Sequence, residues 1–250
     1  EAMVKATTRR VPFVLFGPPG TGKTTTLCEA VKQCAQYMSA LLHKPFHILV
    51  CAPTNTAADH VCCGLAEVFT SRDQLLRLMA FSRSRKDVPP ELKNHIYWDD
   101  EAGGFVVPPA DTVRKSTVVV ATLTMAAKLH NEGIERGHFD MIVVDEAGQA
   151  MEPEVMAAIA PLLGVDGQLV IAGDPKQLGP VIHHNLAKDH GLSRSFLERL
   201  MERQIYRKSP NGEYNNHVIT KLIDNYRSHE TLLELPSRLF YDNDLVSKVD

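Results

Sequence analysis

Short, almost continuously apolar runs recur along the chain and alternate with segments in which apolar residues return every three or four positions. The runs cover residues 13–16, 47–52, 117–121, 141–144 and 168–172. A helical repeat follows the first run, with Leu27, Val31, Cys34 and Met38 on one face. Strands that are apolar on both faces and alternate with helices are typical of a parallel sheet covered by helices. The pattern predicts an α/β fold.

A polar or glycine-bearing segment follows each predicted strand directly. These segments are residues 17–24, 53–55, 122, 145–146 and 173–174. Parallel sheets bind ligands at the carboxyl ends of their strands. We therefore expect the five segments to converge on one edge of one sheet.

The first segment reads GPPGTGKT over residues 17–24 and fits the phosphate-binding pattern G-x-x-x-x-G-K-S/T at every fixed position. Because it lies between a predicted strand and a predicted helix, its backbone N–H groups and the helix N-terminus would point at phosphate oxygens. Lys23 would reach the outer phosphates, and the Thr24 hydroxyl would hold Mg²⁺. The segment therefore predicts a site for a nucleoside triphosphate and magnesium.

Carboxylates and a glutamine follow later strands. Asp145 would hold the magnesium ion, often through water, and Glu146 would orient or deprotonate the attacking water. Gln177 is suited to sensing the terminal phosphate without changing its own charge. Tyr226 and Arg227 place an aromatic ring beside a guanidinium, which can stabilise charge that develops on that phosphate.

Several of these patterns also have plainer explanations. An acidic turn can cap the next helix, residues 173–180 can form an ordinary Asp-Pro turn, and a Tyr-Arg pair can be solvated. Pro53, Thr54 and Asn55 either bind a sugar-phosphate backbone or begin a helix. Between about residues 71 and 116 the alternation lapses, which predicts an insertion. Its basic residues, among them Arg77 and Arg83, and its aromatic residues either contact a nucleic-acid strand or lie in solvent. After it, residues 193–205 and 230–240 are predicted helices, and residues 218–223 are a predicted strand.

Composition narrows the class of protein. The 250 residues are 44% hydrophobic and carry a net charge of −3. The chain is therefore expected to be neither disordered nor a membrane protein, and binding of nucleic acid would require a local basic patch.

The five cysteines form no C-x-x-C pair and are expected to be reduced core residues. No zinc or iron site is implied. Without a membrane-spanning run or a signal pattern, an intracellular location is expected. Because the first residue is Glu1, we expect a segment of a longer protein.

Five motifs occur in a fixed order, GPPGTGKTT, APTNTAAD, VVDEAGQA, GDPKQLGP and LIDNYRSHE. Together they resemble the motifs of superfamily 1 helicases of the up-frameshift-like branch. The stretches SFLERLM and NYRSHETLLELPSRLFY are most similar to the Moloney leukaemia virus 10, Armitage and silencing-defective type of RNA helicase. The resemblance runs from about Pro12 to Leu245 and is weakest in the insertion.

The resemblance implies a RecA-like P-loop NTPase fold, with a parallel sheet sandwiched by helices. Residues 1–215 would form the first RecA-like domain, with the insertion at about 71–116, and residues 216–250 would begin a second domain that continues beyond residue 250. The implied function is an ATP-dependent RNA helicase or ribonucleoprotein-remodelling motor that moves on single-stranded RNA. An ATP-gated RNA clamp and a DNA helicase of the same superfamily are the alternatives.

The resemblance also assigns roles to residues and suggests partners. Mg²⁺ and ATP would be held by Gly20, Thr21, Gly22, Lys23, Thr24, Thr25 and Asp145. Tyr226 would stack on adenine, and Arg227 would be the first arginine finger. RNA would be contacted, largely by backbone, at Pro53, Thr54, Asn55 and Thr122. Proteins of RNA silencing or RNA decay are the implied partners, in the cytoplasm or alternatively in the nucleus, and no membrane is involved.

The sequence departs from the family in two respects. The later motifs, including a second arginine finger, do not occur, and no glutamine upstream of the phosphate loop matches the adenine-reading one. We therefore expect the 250-residue chain by itself to bind nucleotide weakly and not to unwind. Protein-remodelling ATPases of the AAA type share GPPGTGKT, but residues 173–180 and 225–230 disfavour them. The lack of an Asn-Lys-x-Asp stretch disfavours a guanine-specific switch.

Overall fold

The computed structural model describes residues 11–249, and its main sheet has seven parallel strands. They are β1 (Phe13–Phe16), β2 (Ile48–Ala52), β3 (Leu75–Leu78), β4 (Val118–Thr122), β5 (Phe139–Val144), β6 (Leu163–Gly173) and β7 (Ile219–Lys221). Their order across the sheet is β3-β4-β2-β5-β6-β1-β7. Two short strands, β8 (Asp224–Asn225) and β9 (Val246–Ser247), pair separately. All six predicted strands are present, with residues 218–223 containing β7.

Helices connect the strands. They are α1 (Lys23–Leu42), α2 (Asn55–Ala66), α3 (Ala110–Lys115), α4 (Leu123–Ala126), α5 (Glu152–Ile159), α6 (Asn185–Asp189), α7 (Phe196–Met201) and α8 (Glu230–Phe240). Helices α2 and α4 each begin at a threonine whose hydroxyl accepts a backbone N–H bond, Thr54 from Ala57 and Thr122 from Met125. The helix expected over residues 193–205 is shorter and ends at Met201, and a separate 3-10 turn follows at Gln204–Tyr206.

Both faces of the sheet are buried, which explains the continuous apolar runs. In β1, Phe13 and Leu15 pack into one core with α1 and α2, whereas Val14 and Phe16 pack into a second core on the opposite face. Successive residues of a strand point to opposite faces, so a strand covered on both sides needs an apolar residue at every position. The α/β class predicted from the sequence is confirmed.

The five cysteines are free thiols, four of them buried and Cys63 half-buried. Burial raises the pKa of Cys28 to about 12 and that of Cys34 to about 11. Within residues 11–249, no helix is long and apolar enough to cross a membrane.

Strand β3 is missing from the predicted set, because it lies inside the region expected to be an insertion. Its sequence is LLRL, and it forms the edge of the main sheet beside β4. Arg77 interrupts the apolar pattern, yet this side chain is as completely buried as its neighbours. Part of the supposed insertion therefore belongs to the sheet itself.

The main sheet also extends past residue 215, where a second domain was expected to begin. Strand β7 pairs with β1, with Leu15 opposite Thr220. Beyond β7, the chain forms β8, the predicted helix α8 and β9. The assignment of these last elements to a second domain stays a prediction.

Candidate functional site

The glycine-rich loop between β1 and α1 is tightly curled. Gly20 and Gly22 have φ values of 84° and 78°, in the left-handed region that favours glycine. A Cβ atom on Gly20 would lie only 2.6 Å from Cβ of Arg227. The Thr21 hydroxyl donates to the Pro18 carbonyl at 2.8 Å. Glycine at position 20 is thus required both by the turn and by the close approach of a distant segment.

The Lys23 side chain lies over this loop. Its ammonium group donates to the carbonyl oxygens of Gly17 at 2.8 Å and Pro18 at 3.2 Å, and the residue is only 7% exposed. A lysine ammonium has three N–H donors and no acceptor. Two donors hold it to the loop, and the third is left for an anionic oxygen.

Thr24 contacts the acidic pair, which consists of Asp145 and Glu146. The Thr24 hydroxyl donates to Oδ2 of Asp145 at 3.0 Å, and the backbone N–H of Glu146 donates to Oδ1 of Asp145 at 2.9 Å. Glu146 has a left-handed φ of 51°, which turns the chain immediately after β5. The sheet therefore brings together Thr24 and Asp145, which are 121 positions apart in the sequence.

The electrostatics of the acidic pair fit a divalent cation. Burial raises the pKa of Asp145, and burial together with the charge of Asp145 raises the pKa of Glu146. The charge of Lys23 opposes both shifts but does not cancel them. Carboxylate and hydroxyl oxygens are the ligand types that Mg²⁺ takes in proteins, directly or through water. Thr24 and Asp145 are therefore suited to hold such an ion.

Replacing Asp145 with asparagine is expected to stabilise the metal-free fold. The raised pKa shows that the charged form of Asp145 is disfavoured in the folded state, and asparagine removes the charge at similar size. In EDTA, the thermal midpoint of the variant should therefore lie above that of the wild type. With Mg²⁺ and nucleotide, the wild type should gain stability and the variant should not. A lower midpoint for the variant in EDTA would contradict this reading.

Gln177 lies in the loop after β6, and its side-chain Nε2 donates to Oδ2 of Asp174 at 2.9 Å. This loop packs directly on the turn after β5, because a Cβ on Gly148 would lie 2.7 Å from the carbonyl oxygen of Asp174. In that turn, the side-chain amide of Gln149 donates to Glu146 at 3.3 Å. The predicted phosphate sensor and the predicted water-orienting carboxylate thus lie on neighbouring segments in backbone contact.

A cavity of about 740 Å³ adjoins the glycine-rich loop. One wall includes Thr25 and Thr26 of α1 together with Gly20, Thr21 and Gly22. The opposite wall includes Lys221, Asp224, Tyr226 and Arg227. Tyr226 is 64% exposed, so its ring is available to a planar ligand. Predicted nucleotide-binding residues from the glycine-rich loop and from the segment after β7 therefore face one space, whereas Lys23 and Thr24 are not among the residues that line it.

Asn225 holds the two walls together, and sequence reasoning did not single it out. Its side-chain amide donates to the Pro19 carbonyl at 2.8 Å, while its Oδ1 accepts from the backbone N–H groups of Arg227 and Ser228, both at 2.9 Å. The Tyr226 N–H also donates to the Gly20 carbonyl at 2.9 Å. The sequence shows only an asparagine immediately before Tyr226 and Arg227, which does not reveal its contact with the glycine-rich loop.

A second cavity of about 740 Å³ adjoins the loop after β6. Pro53 and Thr54 line it together with Gln177 and with exposed Leu178. It therefore places two of the predicted RNA-contacting residues beside the predicted phosphate sensor.

Thr122 and Asn55 are not among the residues that line this cavity. The Thr122 hydroxyl caps α4, and Oδ1 of Asn55 accepts from Arg77 at 3.1 Å. Because these side chains are engaged within the protein, contacts with RNA at these positions would come from the backbone.

Arg77 is one of the basic residues expected to contact nucleic acid or lie in solvent, and it does neither, because it is buried against partners within the protein. Its guanidinium donates from Nε to Asp59 of α2 at 3.0 Å and from Nη2 to Asn55, and it is fully buried. Arg83 contacts the same carboxylate from the loop after β3. This Arg-Asp-Arg group fixes the start of α2, where the predicted RNA contacts lie.

A family model described as an AAA domain matches residues 1–102 and 93–185. The chain belongs to this family. It is 42% identical over 250 residues to "Putative helicase mov-10-B.2" of Danio rerio, covering 99% of this chain and 24% of the relative. It is also 42% identical over 243 residues to "RNA helicase Mov10l1" of Homo sapiens, covering 95% of this chain and 19% of the relative.

These matches confirm the resemblance to the up-frameshift-like branch of superfamily 1 and, within it, to the Moloney leukaemia virus 10 type. The chain spans about a quarter of the length of the first relative and less of the second. The fold is similar to that in a complex of Arterivirus nonstructural protein 10 (helicase) with DNA, with a TM-score of 0.53 at 16% identity, over 100% of this chain and 43% of the other. The predicted RecA-like P-loop fold is thereby confirmed.

Proposed function

We propose that this chain is the ATPase core of an RNA helicase or ribonucleoprotein-remodelling motor, which couples ATP hydrolysis to movement on single-stranded RNA. The hydrogen bond from Thr24 to Asp145 carries the proposal, because it joins the phosphate-binding loop to the acidic pair. The names of the relatives that match nearly the whole chain support it.

The loop residues bind the triphosphate and the metal ion. Backbone N–H groups from Gly20 to Thr25 and the third donor of Lys23 would hold phosphate oxygens. Thr24 and Asp145 would hold Mg²⁺, directly or through water. When bound, Mg²⁺ supplies positive charge that offsets the charge developing on the phosphates.

Glu146 and Gln177 act on the attacking water. The raised pKa of Glu146 makes its carboxylate a stronger base than an exposed glutamate, which suits it to accept the proton of that water. Gln177 keeps one N–H on Asp174 and retains a second N–H and its carbonyl oxygen for the terminal phosphate and the water.

Tyr226 and Arg227 close the site from the opposite wall. The exposed Tyr226 ring would stack on adenine, and the Arg227 guanidinium would stabilise negative charge on the terminal phosphate. Both depend on Asn225, which ties their backbone to the glycine-rich loop. The finger role further depends on a second RecA-like domain beyond residue 250.

Single-stranded RNA would lie across the carboxyl ends of β2 and β4, at Pro53, Thr54, Asn55 and Thr122. Backbone contacts with a sugar-phosphate chain carry little base specificity, as a motor that moves along any sequence requires. We further propose RNA-silencing or RNA-decay proteins as partners, and the cytoplasm as the location.

ATP hydrolysis by the full-length protein with and without single-stranded RNA tests the proposal. We expect RNA to raise the turnover number severalfold, and Lys23→Ala to abolish hydrolysis. Equal stimulation by single-stranded DNA would point to a DNA helicase. Remodelling that proceeds fully with a non-hydrolysable ATP analogue would identify an ATP-gated clamp. Hydrolysis no greater than that of Lys23→Ala, with or without RNA, would overturn the proposal.

A further inference from the structure

Asp174 joins two distant parts of the chain through one buried oxygen atom. The residue is 2% exposed, and its Oδ2 accepts hydrogen bonds from Gln177 Nε2 at 2.9 Å and from the Tyr241 hydroxyl at 2.8 Å. Its Oδ1 accepts from the Lys176 N–H at 2.9 Å. Tyr241 is 67 positions further along the chain. A buried carboxylate has to accept hydrogen bonds from nearby donors. If one donor moves away, the remaining donors have to shift to keep the carboxylate satisfied.

Tyr241 is fixed from two directions. Burial and the hydrogen bond to Asp174 raise the pKa of its hydroxyl, which therefore stays protonated and donates. The Lys221 ammonium, at the end of β7, donates to the Tyr241 carbonyl at 2.8 Å and to Asp244 at 2.7 Å. Asp242 and Asn243 follow with left-handed φ values of 63° and 61°, which reverse the chain. The residue directly after α8 is thus held by both its side chain and its backbone.

Helix α8 connects this point with the opposite wall of the nucleotide cavity. It begins at Glu230, three residues after Arg227, and ends at Phe240, next to Tyr241. The helix is continuous over its 11 residues, with Pro236 inside it, and we expect a displacement at its C-terminal end to be carried along it to its N-terminal end. Gln177 and Arg227 are therefore linked through Asp174, Tyr241 and α8.

We propose that Asp174 and Tyr241 are positioning residues that transmit the orientation of the Gln177 amide to α8 and hence to Arg227. The inference rests on the proposed function, since it takes Gln177 as the residue that senses the terminal phosphate. If the amide turns, Asp174 loses or exchanges a donor, and the Tyr241 hydroxyl must adjust to keep the carboxylate satisfied. Asp174 and Tyr241 themselves need not touch the nucleotide.

The variant Tyr241→Phe in the full-length protein tests the link, because it removes only the hydroxyl. We expect RNA-stimulated turnover to fall by at least about fivefold, the lower range of a coupling between sites. Basal hydrolysis and the KM for ATP should change by less than about twofold, because no group that touches nucleotide is altered. A purely structural role would instead lower the thermal midpoint and reduce basal and stimulated turnover together.

Tyr206→Phe is the matched control. Its hydroxyl is also a buried donor, to the Pro12 carbonyl at 2.6 Å. Pro12 precedes the amino end of β1, whereas Asp174 follows the carboxyl end of the parallel strand β6. We expect this variant to keep its RNA stimulation. Equal stimulation in the Tyr241→Phe and Tyr206→Phe proteins, with wild-type hydrolysis still stimulated by RNA, would overturn the link and leave the proposed function standing. A wild type without RNA-stimulated hydrolysis would overturn the proposed function and, with it, the link.

A double variant tests the route. In the Gln177→Ala background, Tyr241→Phe should have no further effect on RNA stimulation, because the signal no longer reaches Asp174. If the two substitutions reduce RNA stimulation independently, so that their fold-changes multiply in the double variant, Tyr241 acts by another route and the proposal is overturned.

Discussion

Glu146→Gln is expected to abolish RNA-stimulated ATP hydrolysis while leaving nucleotide binding intact. The turn after β5 places Glu146 beside the buried Asp145, and burial raises the pKa of Glu146. Glutamine has nearly the same shape and can still pair with Gln149, but it cannot accept a proton from water. Loss of a general base lowers turnover by about 10²–10⁴-fold. Steady-state hydrolysis with saturating RNA, together with titration of a fluorescent ATP analogue, measures both quantities.

Glu135→Gln provides the control for this prediction. Glu135 is a surface carboxylate that pairs with Arg114 at 2.7 Å, away from the carboxyl ends of the strands. Its replacement should leave turnover unchanged. If Glu146→Gln keeps more than about a tenth of the wild-type turnover, Glu146 is not the general base, since a base contributes at least about 10²-fold.

Asp59→Ala is expected to destabilise the fold by about 3–5 kcal/mol, the effect of removing one partner of a buried ion pair. Asp59 is the carboxylate partner of Arg77, which is 0% exposed, and it also receives Arg83. Alanine would leave the Arg77 guanidinium buried without a counter-charge, and β3 would lose its attachment to α2. Urea unfolding followed by circular dichroism measures the loss.

The matched control is Asp111→Ala. Asp111 also pairs with an arginine, Arg114 at 3.0 Å, but its side chain is 85% exposed. Such surface pairs contribute about 0–1 kcal/mol. If the two variants lose similar stability, the buried Arg77-Asp59-Arg83 group does not stabilise the fold as expected.

Because Arg77 also holds Asn55, RNA affinity should weaken in a folded Arg77→Met variant while ATP binding is retained.

The hydrophobic pattern predicted six of the seven strands of the main sheet within about two residues at their carboxyl ends, because a strand buried on both faces has to be apolar throughout. It did not reveal β3, where a buried charge breaks the run. Arg77 is tolerated there because Asp59, Asn55 and a backbone carbonyl receive its donors. No local pattern reports a partner that lies 18 positions away on a different element.

The candidate site likewise contains some residues that the sequence predicted and others that it did not. Lys23, Thr24, Asp145 and Glu146 could be predicted because the glycine-rich loop and the acidic strand end are local patterns with a local physical cause. Asn225, Asp174 and Tyr241 could not, because each acts through a hydrogen bond that forms only when distant segments meet. Thr122 and Asn55 were identified by position, but the structure shows that their side chains stabilise the protein itself.

The amino-acid sequence alone determined the fold class, the phosphate-binding loop and the acidic strand end, since burial on two faces and phosphate binding each impose a residue pattern within a few positions. Only the tertiary structure decided that the loop is clamped by Asn225, that a buried arginine belongs to the sheet, and that Gln177 shares a carboxylate with Tyr241. The reason is that a buried polar group needs a partner, and the partner is chosen by where the folded chain brings another segment.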